Sequence, residues 1–162
     1  MWYITDLITD RTPEDYQHWK KLRDKGFENM TEAERLEWET DLKGAYNASD
    51  MNRVGSILDE LRTYLINAGY LNGLEFVPKT NWIREDIPTT EQFAEYINSV
   101  DIIRKTLAVY RTTPPTPSSP NSLTIEEANN IEKILIDVYR LFENMMLARN
   151  YCGEIFSGEI GR

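Results

Sequence analysis

The chain has 162 residues, 41% of them hydrophobic and 28% charged, and 18 basic residues against 27 acidic ones give a net charge of −9. A chain of this length and apolar content can bury one proper core, which excludes wholesale disorder, and its acidic balance repels phosphate backbones, which disfavours a general nucleic-acid binder. Cys152 is the only cysteine, so neither an intramolecular disulfide nor a cysteine-based zinc site can form.

Residues 1–11 read as extended, with Trp2, Ile4 and Leu7 available to cover an edge of the core. Thr12-Pro13-Glu14-Asp15 starts a first helix, predicted over Pro13 to Lys25, because proline is pre-organised for the first helical position. Tyr16, Trp19 and Leu22 share a face of it, and Gly26 supplies a left-handed stop. Thr31, three residues before Glu34, has the spacing of a reciprocal cap and opens a second helix over Glu32 to Lys43, stopped by Gly44. Trp38 and Leu42 pair on one side while Leu36 points elsewhere, so this helix is expected to be covered on two sides.

Ser49 is the expected cap of a third helix, Asp50 to Ala68, whose stripe runs Val54, Ile57, Leu58, Leu61, Tyr64 and Leu65 before Gly69. Tyr70 to Pro88 then forms a connector in which Leu74-Glu75-Phe76-Val77 reads either as a short strand or as a segment lying across the bundle. Thr89 with Gln92 caps a fourth helix, Thr90 to Tyr110. Residues 111–123 hold four of the seven prolines and read as an intra-domain crossover loop. Thr124 with Glu127 caps a fifth helix, Ile125 to Asn150, and the tail from Tyr151 onward is expected to be extended. The prediction is an all-α single domain spanning 1–162: a helical bundle of three long helices with two short N-terminal ones closing an end. The tail is expected to find a strand partner, either Trp2-Tyr3-Ile4 of the same chain or the equivalent segment of another copy.

Chemistry is scarce. His18 is the only histidine and falls off the Tyr16-Trp19-Leu22 stripe, on an exposed flank with no nucleophile beside it. No metalloprotease helix motif, P-loop or dinucleotide-binding glycine pattern occurs, and Asp50-Met51-Asn52 lacks the glycine and terminal glutamate of a calcium loop. With 27 acidic residues, paired carboxylates carry no signal, and Glu126, Glu127, Glu132 and Asp137 are expected to dress the outer and N-terminal parts of the fifth helix. Asn29-Met30-Thr31 and Asn47-Ala48-Ser49 match glycosylation acceptors in form, but their hydroxyls are already assigned as caps. The expectation is no enzyme, no metal and no cofactor. The opening residues lack a basic leader and a signal-length apolar run, and no stretch approaches the ~18 apolar residues of a membrane span.

The densest specific-looking stretch is Tyr46-Asn47-Ala48-Ser49-Asp50-Met51-Asn52-Arg53. It reads either as a recognition turn or as an inter-helix corner in which Asp10 or another acid pairs Arg53 and asparagines satisfy loop carbonyls. Tyr46, Asn47, Asn52 and Arg53, with Tyr70 and Trp82 from the connector as exposed aromatics, form the candidate interaction surface.

Asp10-Arg11-Thr12, Asn29-Met30-Thr31, Glu37-Trp38, Leu42-Lys43-Gly44-Ala45-Tyr46-Asn47, Asp50, Asn52-Arg53-Val54, Pro78-Lys79-Thr80-Asn81-Trp82, Ile87-Pro88-Thr89 and Gly153-Glu154 form a recurring pattern. It resembles small helical proteins or domains of unknown function from the tail and baseplate regions of prophages of Gram-positive gut bacteria. The resemblance implies a non-enzymatic structural or protein-interaction role, with self-association or other virion proteins as partners. It also implies a place in the bacterial cytoplasm during assembly or on the virion. The alternative from another class is a carbohydrate-binding or carbohydrate-active module using exposed aromatics and carboxylates. A DNA-binding regulator is disfavoured by the charge, and neither nucleic acid nor membrane is expected as a partner.

Overall fold

The computed structural model describes residues 3–40, 42–72, 76–120 and 122–157, with the backbone alone for 150–157. The fold is all-α: α1 (Pro13–Lys25), α2 (Glu32–Glu39), α3 (Ala48–Asn67), α4 (Thr90–Thr106) and α5 (Ile125–Ser157), with no strand among the described residues. No helix among these residues is long and apolar enough to cross a membrane.

The helix starts follow the capping chemistry. Thr12 accepts from the Asp15 N–H at 3.2 Å while Asp15 accepts from the Thr12 N–H at 2.8 Å. Thr31 with Glu34, Thr89 with Gln92, and Thr124 with Glu127 make the same reciprocal pair. The expected cap at Ser49 is corrected: Asn47 holds that position, and the Asp50 carboxylate accepts its N–H at 2.8 Å.

The stops are less faithful to the sequence. Gly26 and Gly69 adopt positive φ, 76° and 80°, and end α1 and α3, but Gly26, with ψ of 142°, lies outside the left-handed helical region expected of it. By contrast, α2 ends at Glu39, five residues before Gly44. Its last carbonyls are taken by other groups: Arg84 donates to Trp38 O at 2.6 Å and Glu39 O at 3.3 Å, and the Thr40 hydroxyl donates to Glu37 O at 2.8 Å. Gly44 serves packing instead, since a Cβ there would stand 2.0 Å from Asp15 O. Leu36 is 66% exposed, so α2 is not covered on two sides. Helix α4 stops at Thr106, where Leu107 turns extended and buries its side chain.

The tail is the largest correction. Where an extended segment was expected, α5 continues through Ser157. A single Gly153 inside a helix costs only ~1 kcal/mol, and no stop signal precedes it. Ile4–Asp6 forms a 3-10 turn, so neither described side of the expected strand pairing is a strand. Trp2, Gly73, Leu74, Glu75 and residues 158–162 lie outside the described residues, while Phe76 and Val77 are not in a strand.

Helices α3, α4 and α5 pack on one another, and their pairings fix their sense. Arg53, early in α3, meets Glu132, early in α5, and Tyr64, late in α3, stacks on Phe142 further along α5 at 6.0 Å. Tyr96, early in α4, bonds Tyr46 beside the start of α3, while Tyr110, just past α4, receives a hydrogen bond from Asn144 at 3.5 Å. All three helices therefore run the same way, and each connection must return the full length of the bundle. The connector after α3 passes so close that a Cβ on Gly55 would stand 2.5 Å from Lys79 O. The proline-rich loop returns along α4 and α5, with Thr113 donating to Asp137 at 2.9 Å, Arg104 to Pro114 O at 2.7 Å, and Thr116 to Asp101 at 3.1 Å. The core between the helices is aliphatic, with Val54, Leu58, Leu61, Leu65, Val100, Ile103, Ile131, Ile134, Leu135 and Val138 fully buried.

Candidate functional site

The corner where α3 begins collects most of the singled-out residues around four buried charges. Arg11, Asp50, Arg53 and Glu132 have side chains only 3%, 6%, 5% and 0% exposed. Arg11 Nη2 donates to Asp50 at 2.8 Å and to Glu132 at 2.6 Å. Arg53 donates to Glu132 at 2.9 Å through Nη2 and at 3.2 Å through Nε, and it also pairs with Asp50. Two cations and two anions leave the group neutral, which is the condition for burying charge at tolerable cost. Burial works against the Arg11 and Arg53 charges, but Glu132 and Asp50 outweigh it and hold both pKa values above the ordinary one.

This cluster fastens the N-terminal segment to the bundle. Glu132 accepts the Ile8 N–H at 2.6 Å, and Asn129 pairs with both backbone groups of Arg11, at 3.1 and 2.9 Å. Glu132 and Asp137, expected on the outside of α5, are buried at 0% and 3% exposure because arginines in one case and Thr113 and Lys133 in the other satisfy them. Arg53 thus pairs with Asp50 and Glu132, while Asp10 turns outward to Lys43 at 2.9 Å.

The other candidates take distinct places. Tyr46 lies under Arg11, with the guanidinium 5.3 Å from the ring centre, and its hydroxyl bonds that of Tyr96. Desolvation raises both phenols' pKa values, so the pair stays protonated. Asn47 donates to Leu42 O at 3.2 Å. Asn52 clips the connector: its Nδ2 donates to Trp82 O at 2.8 Å and its Oδ1 accepts the Trp82 N–H at 2.7 Å. Trp82 itself is not an exposed platform; it is 6% exposed, with Lys79 3.7 Å from its ring centre. Tyr70 is 47% exposed but sits beyond the far end of α3, away from the corner. The asparagines and Arg53 therefore do the work of an inter-helix corner.

Beside the corner opens a cleft of about 460 Å³, walled by Tyr46, Asn47, Met51, Trp82, Arg84 and Phe93. A second hollow of about 590 Å³ lies on the other side of Tyr46, against Arg11, Tyr16 and Trp19. His18 is 47% exposed and bonds Glu37 at 2.7 Å, joining α1 to α2. No cluster of three or more metal-ligating side chains occurs among the described residues.

Arg11, Arg84 and Glu132 were not among the candidate surface residues read from sequence. Glu132 had a readable signal, since it stands four residues after Ala128 and three before Leu135 on the buried stripe, and a charge there demands a partner. Arg84 had none, because its role depends on where α2 ends. No known protein family matches the chain, no curated protein is similar to it, and no solved structure matches its fold.

Proposed function

We propose that this protein is a non-enzymatic interaction module that docks onto other proteins, with phage-tail assembly as its setting. In this reading the three long helices are a rigid body, closed at one end by α1 and α2, and the connector is its docking edge. The observation that carries the reading is on that connector. Val77, Ile83 and Ile87 are 83%, 58% and 89% exposed, although the segment is clipped to α3 through Asn52 and Trp82. Apolar side chains held facing water on a pinned backbone lose little freedom on binding, which favours association. The tail setting comes from the resemblance of the capping and corner residues to prophage tail proteins.

The carbohydrate alternative lacks a free platform at two of its aromatics. Trp82 is buried, and Arg23 covers a face of Trp19 at 4.8 Å. The test is co-expression with the products of neighbouring tail genes, followed by light scattering on the purified complex. An Ile83→Asp/Ile87→Asp double variant should lose the complex while melting like the parent, since exposed substitutions shift stability by only about 0.5 kcal/mol. A complex that survives the double substitution refutes the docking edge.

A further inference from the structure

We propose that the cleft beside the α3 corner receives a carboxylate carried on a short apolar or aromatic stem; the proposal rests on the interaction reading above and names what the docking partner presents. Arg84 is the cation that would meet it. Its Nη1 and Nη2 are aimed by the last carbonyls of α2, at 3.3 and 2.6 Å, and no carboxylate among the described residues pairs with it. A guanidinium has five N–H donors, so this anchoring fixes its orientation and leaves donors over. Asp86, the acid in the cleft wall, already accepts from Lys79 Nζ and the Ile83 N–H, each at 3.1 Å, so its charge is balanced locally.

Two further features agree. Ala48 and Thr90, the first residues of α3 and α4, both line the cleft, bringing two positive helix ends to one space. Trp82, in the same wall and 6% exposed, has an indole N–H with no acceptor among the described residues, which is rare for a buried donor. Met51, Pro88 and Phe93 supply an apolar wall for the stem, and about 460 Å³ falls within the usual range for a small-ligand site. One unpaired cation beside a balanced acid suits a single negative charge better than a dianion. As the group a docking partner presents, the carboxylate is the carboxy terminus of the partner chain, and a free small acid is the rival source that the test tells apart.

The test is a ¹⁵N NMR titration of the full chain, following the Trp82 indole N–H and the amides of Ala48 and Thr90. The probes are phenylacetate and N-acetyl-Leu-Phe, the peptide both as free acid and as amide. The expected result is saturable shifts with the peptide acid, a dissociation constant of about 1 mM or tighter, and at least about tenfold weaker binding of the amide. Phenylacetate matching the peptide acid assigns a free acid as the source; binding of the peptide acid alone assigns a chain terminus. Arg84→Gln should weaken the acid about tenfold while Arg35→Gln, on α2, leaves it unchanged, the rest of each spectrum reporting an intact fold. Equal binding of acid and amide, no saturation by about 10 mM, or an unaffected Arg84→Gln variant overturns the proposal. If it falls while Ile83→Asp/Ile87→Asp still loses its complex, the carboxylate is wrong and the docking edge stands.

Discussion

Replacing Glu132 by Gln removes one oxygen's charge and changes almost nothing in shape, so it isolates the electrostatics of the corner. In the native chain this fully buried carboxylate accepts from Arg11 Nη2, Arg53 Nη2, Arg53 Nε and the Ile8 N–H. A glutamine offers one carbonyl oxygen and turns an amide donor toward the remaining donors. The corner is then left with two arginines against Asp50 alone, an uncompensated buried positive charge. Breaking a buried pair in this way costs about 3–5 kcal/mol, several times the ~0–1 kcal/mol of a surface pair. At this chain length that corresponds to a fall in melting temperature on the order of 10 °C. Urea unfolding followed by circular dichroism should show a lower midpoint with an unchanged slope, since the surface exposed on unfolding is the same. Adding Arg53→Met to Glu132→Gln should recover part of the loss, because the double variant again leaves one cation against one anion. A Glu132→Gln variant within about 1 kcal/mol of the parent would show that the cluster behaves like a solvated surface pair and that the corner argument is wrong.

Two further outcomes follow from the packing and the caps. Gly55→Ala places a methyl 2.5 Å from the Lys79 carbonyl, a backbone atom that cannot swing away; a loss of about 1–3 kcal/mol in urea unfolding is expected, and an unchanged midpoint would mean that the connector does not lie against α3. Glu34 is held down at about 2 from an ordinary 4.5, first by the Lys25 side chain and then by the Thr31 backbone N–H. A carboxylate with a depressed folded pKa adds stability above its unfolded value and loses it as pH falls through the folded one, so this contribution is full above about pH 4.5 and gone near pH 2. Stability of Glu34→Gln should therefore vary less than that of the parent across that window, and parallel pH profiles would contradict the assignment.

What the sequence made legible was local. Thr12, Thr31, Thr89 and Thr124 act within a few residues, so their side chains could be read from spacing alone, and the stripe of α3 obeys helical period for the same reason. What escaped depends on distant partners. The end of α2 is set by Arg84, far along the chain, which occupies the carbonyls of Trp38 and Glu39. The burial of Glu132 is made possible by Arg11 and Arg53, and no local rule pairs those three. Trp82 looked exposed because it stands in a proline-bounded connector, yet Asn52 draws that connector onto α3. The tail differs for another reason: an extended run is expected from Tyr151 onward, yet no cap or stop signal ends α5 there and one glycine, Gly153, does not end a helix by itself. At the candidate surface, the corner was visible as a dense polar run, but the cleft beside it was not, since its walls come from α3, α4 and both returning loops.

The measurement that bears most directly on the proposed docking edge is hydrogen–deuterium exchange of the chain alone and in complex with whichever tail-gene product co-purifies with it. The account predicts new protection concentrated in residues 76–89, around Val77, Ile83 and Ile87, with the exposed side of α1 unchanged. Protection confined to α1 and α2 or to the far end of α5, with residues 76–89 exchanging as in the free chain, would contradict it.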